Sequence, residues 1–167
     1  MMNDGKLTIT PLEGGALFEV SGRANFETAM PLRDYVEKLS GREVIWFSMA
    51  GCTGLDSTFM GVMAMLALKA KRSQCEIHLA GADAKLCGLL AGIGILKLFA
   101  KHDALPENLV SGASAPLENA PRSEADRAQT VLDAHKTLVE ADERNAEVFK
   151  TVIEFAEDDV DRLKKQK

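Results

Sequence analysis

The sequence predicts an α/β fold: a mixed β-sheet in the order ββαβαβαβ, followed by a long C-terminal amphipathic helix. Three observations lead there. Two extended runs open the chain with the turn Pro11 to Gly15 between them, Gly14-Gly15 supplying the tight reversal of a hairpin. Strand-length runs then alternate with longer apolar runs as far as residue 100, which is how parallel βα units read. Finally, Arg122 to Lys165 contains neither Gly nor Pro and repeats in heptads.

Taken in order, Lys6 to Thr10 alternates apolar and polar residues, Pro11 to Gly15 turns, and Ala16 to Ser21 runs extended. Gly22-Arg23-Ala24-Asn25 ends this hairpin. Asn25 is placed as an N-cap, with Phe26, Met30, Tyr35, Val36 and Leu39 marking an amphipathic helix that reaches Ser40-Gly41; Pro31 is a second candidate start. Val44-Ile45-Trp46-Phe47 has the length and composition of a buried strand. Gly51 to Gly61 then reads as a polar turn, in which Asp56 caps an apolar helix running to Arg72. Glu76 to Ala80 is a strand, and Asp83 caps a helix over Ala84 to Ala91. Gly92-Ile93-Gly94-Ile95 breaks that helix, and Leu96 to Ala100 is expected as a last short strand. His102 to Pro121, with Pro106, Pro116 and Pro121 around Ser111 to Ala115, reads as a linker. The chain thus divides into a domain over 1–105, a linker over 106–121 and a helix over 122–167.

In the last segment Ser123 is a candidate N-cap. Steps of four and three residues give a seam of Ala128, Leu132, His135, Val139, Asp142, Ala146, Phe149, Ile153, Ala156, Val160 and Leu163. The apolar members Leu132, Val139, Phe149, Ile153 and Val160 need a partner surface, because an isolated helix in water rarely holds. Two surfaces are available. One is a second copy of the tail, giving a homodimer; the other is the run Phe59, Met60, Val62, Met63, Met65, Leu66 and Leu68, apolar on every side until Lys69. Heptad regularity favours self-association over folding back. His135 and Asp142 are polar insertions in the seam, expected to lie exposed beyond a shallow contact.

Composition narrows the function. Residues 1–110 carry 11 Lys+Arg against 12 Asp+Glu, and residues 111–167 carry 9 against 13, so no basic stripe exists to hold nucleic acid. Met1-Met2-Asn3-Asp4-Gly5 has neither a basic nor an apolar leader region. The longest uncharged apolar run, Leu86 to Leu96, holds 11 residues, against the roughly 20 needed to span a bilayer. Cys52, Cys75 and Cys87 show no paired spacing, and His78, His102 and His135 stand far apart. These features predict a cytoplasmic protein without membrane insertion, metal or cofactor. Cys52 is read as a small buried thiol in preference to a redox sensor. No serine-hydrolase elbow, phosphate-binding glycine loop or zinc-protease helix occurs, and Gly92-Ile93-Gly94 is a dinucleotide fingerprint without its third glycine, so no catalytic residue is assigned.

The central turn is more informative. Asp56 puts the hydroxyls of Ser57 and Thr58 at the positive end of a helix dipole, where an anion is favoured, including a phosphate on the hydroxyl itself. Small hydroxyl residues also occupy first helical turns with no such role. Asp56-Ser57-Thr58-Phe59-Met60-Gly61, between a Val-Ile-Trp-Phe strand and an apolar helix, resembles the phospho-switch of the STAS domain family, whose usual form is Asp-Ser-Ser/Thr-Gly-Leu-Gly. Gly22-Arg23-Ala24-Asn25, Ile77-His78-Leu79-Ala80-Gly81 and Gly94-Ile95-Leu96-Lys97-Leu98-Phe99 resemble three further family segments in the same order. The resemblance spans about residues 6 to 105, with Phe59, Asn25 and the tail as departures from the pattern.

The resemblance implies helices mainly on one face of the sheet and a non-catalytic signalling module of the anti-sigma factor antagonist type. Its partner would be a serine/threonine kinase that doubles as an anti-sigma factor. Ser57 would be the phosphorylated residue, with Thr58 the second choice. Asn25, Asp56, Ser57, Thr58, Phe59, Met60 and Met63 would form the partner-binding surface. The alternatives are a STAS subunit bracing an ATP-driven membrane transporter of the lipid type, and a scaffold that oligomerises through its C-terminal helix.

Overall fold

The computed structural model describes residues 4–109, 112–118 and 120–166. The leader reading at Met1-Met2-Asn3 and Ser111 of the expected linker fall outside them. Within them the chain is α/β, with a mixed six-stranded sheet and six helices. Strand β1 (Lys6–Leu12) pairs antiparallel with β2 (Gly15–Ala24), and Gly14 turns between them at φ 77°. Helix α1 (Phe26–Lys38) leads to β3 (Val44–Leu55), and α2 (Ser57–Arg72) to β4 (Glu76–Ala80). Helix α3 (Ala84–Gly92) and a 3-10 turn over Leu96–Leu98 precede β5 (Ala100–His102). Strands β2, β3, β4 and β5 run parallel, and the sheet order is β5-β4-β3-β2-β1-β6.

The two faces of the sheet are sealed differently. Phe18 and Phe47 point to the helical side, stacked at 5.3 Å, and belong to a core with Leu32, Phe59, Met63, Leu66 and Leu138. Their neighbours Leu17 and Trp46 point the other way, as strand alternation requires. There Leu105 and Leu109 pack over them in place of a helix. Trp46 stacks on His78 at 4.3 Å, and His78 Nδ1 lies 2.9 Å from His102 Nε2, so two histidines distant in sequence meet on this face.

Four expectations change. The stretch Gly51 to Leu55 is not turn but the end of β3, because Ser21 to Ala24 of β2 runs beside it and supplies ladder partners. Leu96 to Leu98 is a 3-10 turn, and the short strand follows at Ala100. Part of the expected linker is ordered against the sheet: β6 (Ala115–Pro116) pairs with β1, Leu117 N–H donates to Leu7 O at 2.8 Å, and Thr10 and Ser114 hydroxyls bond at 2.6 Å. Pro116 is tolerated because β6 is an edge strand.

The largest change is in the tail, which is not one long helix. Helix α4 (Glu124–Ala141) ends at Asp142, a short α5 (Asn145–Val148) turns, and α6 (Lys150–Lys164) returns along α4. Neither Gly nor Pro makes the break. Asp142 leaves helical geometry at φ −154°, ψ 113°, and its carboxylate takes the Arg144 N–H at 3.0 Å. Asn145, 2% exposed, donates to both Ile93 O and Leu138 O and fastens the bend to the end of α3. Gly94, at φ 76°, lies directly beneath the Asp142 side chain, where a Cβ would collide with it.

The apolar stripe is therefore used inside the chain. Leu138 joins the main core, while Leu132, Ala156 and Val160 form a second cluster between α4 and α6. Val139, Phe149 and Ile153 are half-buried. The heptad pattern that favoured tail-to-tail pairing is met here by α4 packing on α6 and α2 of the same chain. Among the described residues no helix is long and apolar enough to cross a membrane.

Candidate functional site

The site begins with two neighbouring strand ends. Ala24 of β2 and Leu55 of β3 are register partners, so the next residues, Asn25 and Asp56, sit side by side. Each caps a helix. Asn25 Oδ1 accepts from Glu27 and Thr28 N–H, and Thr28 Oγ1 accepts from Asn25 N–H at 2.8 Å, closing a reciprocal box. Asp56 Oδ1 accepts from Phe59 N–H at 2.7 Å, and Asp56 N–H donates to Ala24 O at 3.0 Å, tying the α2 cap to the preceding strand. Ser57 is the first helical residue and is half-buried, at the positive end of α2.

Ser57 Oγ lies 2.8 Å from His135 Nε2 on α4. His135 Nδ1 lies 2.7 Å from Val131 O, and a carbonyl can only accept, so Nδ1 carries a proton. In the neutral ring Nε2 is then the bare nitrogen, and it accepts the Ser57 hydroxyl proton. The imidazole is 1% exposed and meets Phe149 edge-on at 5.2 Å. One turn further along α2, Gly61 lets α4 approach at backbone distance: a Cβ there would lie 2.5 Å from Ala134 O. Two ion pairs hold the start of α4 to α1, Arg122 with Asp34 and Arg127 with Glu27 at 2.7 Å.

Hydroxyl, ring nitrogen and orienting carbonyl form the order seen in activated nucleophiles. Here the order runs through a buried interface between two helices, and the main surface cavities are lined by other residues. What the pair can do is hold the Ser57 hydroxyl in one orientation and hold α4 against it. Among the described residues no group of three or more His, Cys, Asp or Glu side chains could bind a metal ion.

The expected surface comes together only in part. Asn25, Asp56 and Ser57 are adjacent and half-exposed. Phe59 and Met63 are fully buried, and Thr58 and Met60 nearly so, because these residues face the sheet and α4. They form core, not docking surface, and Thr58 offers a far less accessible hydroxyl than Ser57. Burial pushes the Cys52 thiol up, which leaves it less thiolate.

His135, read as an exposed insertion, is instead the partner of Ser57; Asp142 turns the chain. The missed signal was a polar ring flanked on its seam by Leu132 and Leu138, which once buried requires a polar group opposite. Gly61 was the matching signal on α2. Comparison with protein-family models and with curated proteins finds no match to this chain.

Proposed function

We propose that the chain is a STAS-type signalling module of the anti-sigma factor antagonist kind, a binding protein controlled by phosphorylation of Ser57. The observation that carries this is the position of Ser57: first residue of α2, half-exposed, behind an aspartate cap and beside the Asn25 cap of the neighbouring helix. The strand order supports it, since α2 leaves β3 in the middle of a mixed sheet with an antiparallel opening hairpin. The dipole of α2 favours a phosphate at that position. The group adds about −1.5 to −2 charge there. In a complex the same charge sits beside Asp56 and must be desolvated, at an effective penalty of several kcal/mol per ion.

The partner in this reading is a protein kinase that also sequesters a sigma factor. It binds the unmodified surface around Asn25, Asp56 and Ser57 and loses it on phosphorylation. Full-length baits carrying Ser57→Ala or Ser57→Asp test this by capture from native lysate. The Ala bait should retain a kinase-type ATPase that the Asp bait loses. Equal retention by both would refute the switch, and recovery of transporter subunits by both would favour the bracing role.

A further inference from the structure

The element packed on the switch is part of the same chain. Helix α4 touches α2 more extensively than any other helix does, and its one buried charged-type side chain, His135, ends on the Ser57 hydroxyl. We infer that α4 is a tethered ligand of the Ser57 face, released when Ser57 carries a phosphate. This rests on Ser57 as the modified residue, but the exclusion itself is geometric.

Three features make phosphate and docked α4 incompatible. The Ser57 hydroxyl is already used, since its oxygen lies 2.8 Å from Nε2 with no gap for a tetrahedral group between them. Room for the group can be made only by giving up the close packing one turn away, where Gly61 and Ala134 meet at backbone distance. Finally, the pocket offers little to a dianion. The ring's other nitrogen is committed to Val131 O, Phe149 closes one side, and the first turn of α2 carries no basic residue while Asp56 adds a negative charge.

A phosphate turned outward to solvent leaves His135 Nε2 buried without the hydroxyl it accepts from, which a buried polar atom does not tolerate cheaply. A phosphate turned inward displaces the ring. Either way the contact that fixes the centre of α4 is lost. What remains is the apolar contact of Ala134 and Leu138 with the core, the bend at Asn145, and the pairs Arg122–Asp34, Arg127–Glu27 and Arg33–Asp133, of which the exposed ones are of the weak surface kind. The unmodified chain thus occupies its own switch surface, and an external partner must displace α4 to reach it. Phosphorylation frees the apolar face of α4 that meets the core, Ala134 and Leu138, while the phosphate itself blocks the Ser57 surface.

The test uses the full chain with phosphoserine installed at position 57 during synthesis, so it does not depend on finding a kinase. Amide hydrogen exchange is read segment by segment against the unmodified chain, with Ala134→Glu as the reference for a tail wedged off from its own side. The α4 amides should exchange at least about tenfold faster in the phosphoserine chain, approaching the Ala134→Glu rates, while β2 and β3 keep their protection. Unchanged or stronger protection of α4 would overturn the inference, because the phosphate would then be held in place by a charged His135. Equal loss across β2, β3 and α4 would overturn it too, since phosphate would be unfolding the domain. Release of α4 without any kinase in the capture experiment would leave this inference standing and the proposed partner wrong.

Discussion

Replacing Gly61 by Ala sets two effects of opposite sign against each other, and the close contact between α2 and α4 decides the outcome. Within a helix the change is favourable by about 0.5–1 kcal/mol, since Gly loses more backbone freedom on folding. The new Cβ would, however, lie 2.5 Å from Ala134 O and 2.7 Å from Ala134 Cβ. Ordinary van der Waals contact requires the helices to separate by about 1 Å, a gap that forfeits a quarter to a half of each lost contact's attraction. Overpacking of this kind costs about 1–3 kcal/mol. The net expectation is a loss of about 1–2 kcal/mol in urea unfolding of the full chain. Hydrogen exchange should localise it, speeding α4 amides more than those of β3. A variant more stable than the parent by 0.5–1 kcal/mol, with α4 protection unchanged, would mean that propensity alone is acting and that α4 does not rest on α2.

Two further predictions concern the cap and the bend. Asp56→Ala removes the acceptor for the Phe59 N–H and should cost about 0.5–2 kcal/mol in the same unfolding assay, whereas Asp56→Asn should cost little; equal losses would show that the cap is not what matters there. The Arg144 guanidinium and backbone amide beside Asp142 pull its carboxyl down from 3.8 to about 2. A depressed folded value means that its contribution to stability is complete above about pH 4 and disappears as pH falls towards 2. An NMR titration of the carboxyl should have its midpoint near 2 in the parent and return towards 3.8 in Arg144→Ala; an ordinary midpoint in the parent would remove Asp142 as the anchor of the bend.

How much of this was legible depends on how far apart the interacting residues lie. Asn25, Asp56, Asp83 and Ser123 all cap as their side chains suggest, because a cap is settled within three residues. The hairpin was legible for the same reason. The end of β3 was not: Gly51 and Gly54 favour a turn locally, and only a strand more than twenty residues upstream keeps them extended. Nor was β6, two residues long and ending in Pro116, since its hydrogen bonds come from β1 at the other end of the domain. In the tail the heptad phase runs on through the bend by coincidence. Val131, Leu132, Leu138, Ala156 and Val160 satisfy both a straight seam and a folded hairpin, and the bend depends on Asn145 reaching Ile93. The Ser57–His135 pair, 78 residues apart, was beyond any local rule.

Transfer of phosphate to Ser57 tests the central claim most directly. The captured partner is mixed with ATP and the full chain, the modified residue is located by mass spectrometry, and the complex is followed by size-exclusion chromatography. The account predicts one phosphate, on Ser57 and not on Thr58, with dissociation of the complex as it accumulates. Phosphate elsewhere, or a complex that survives with Ser57 fully phosphorylated, would contradict it.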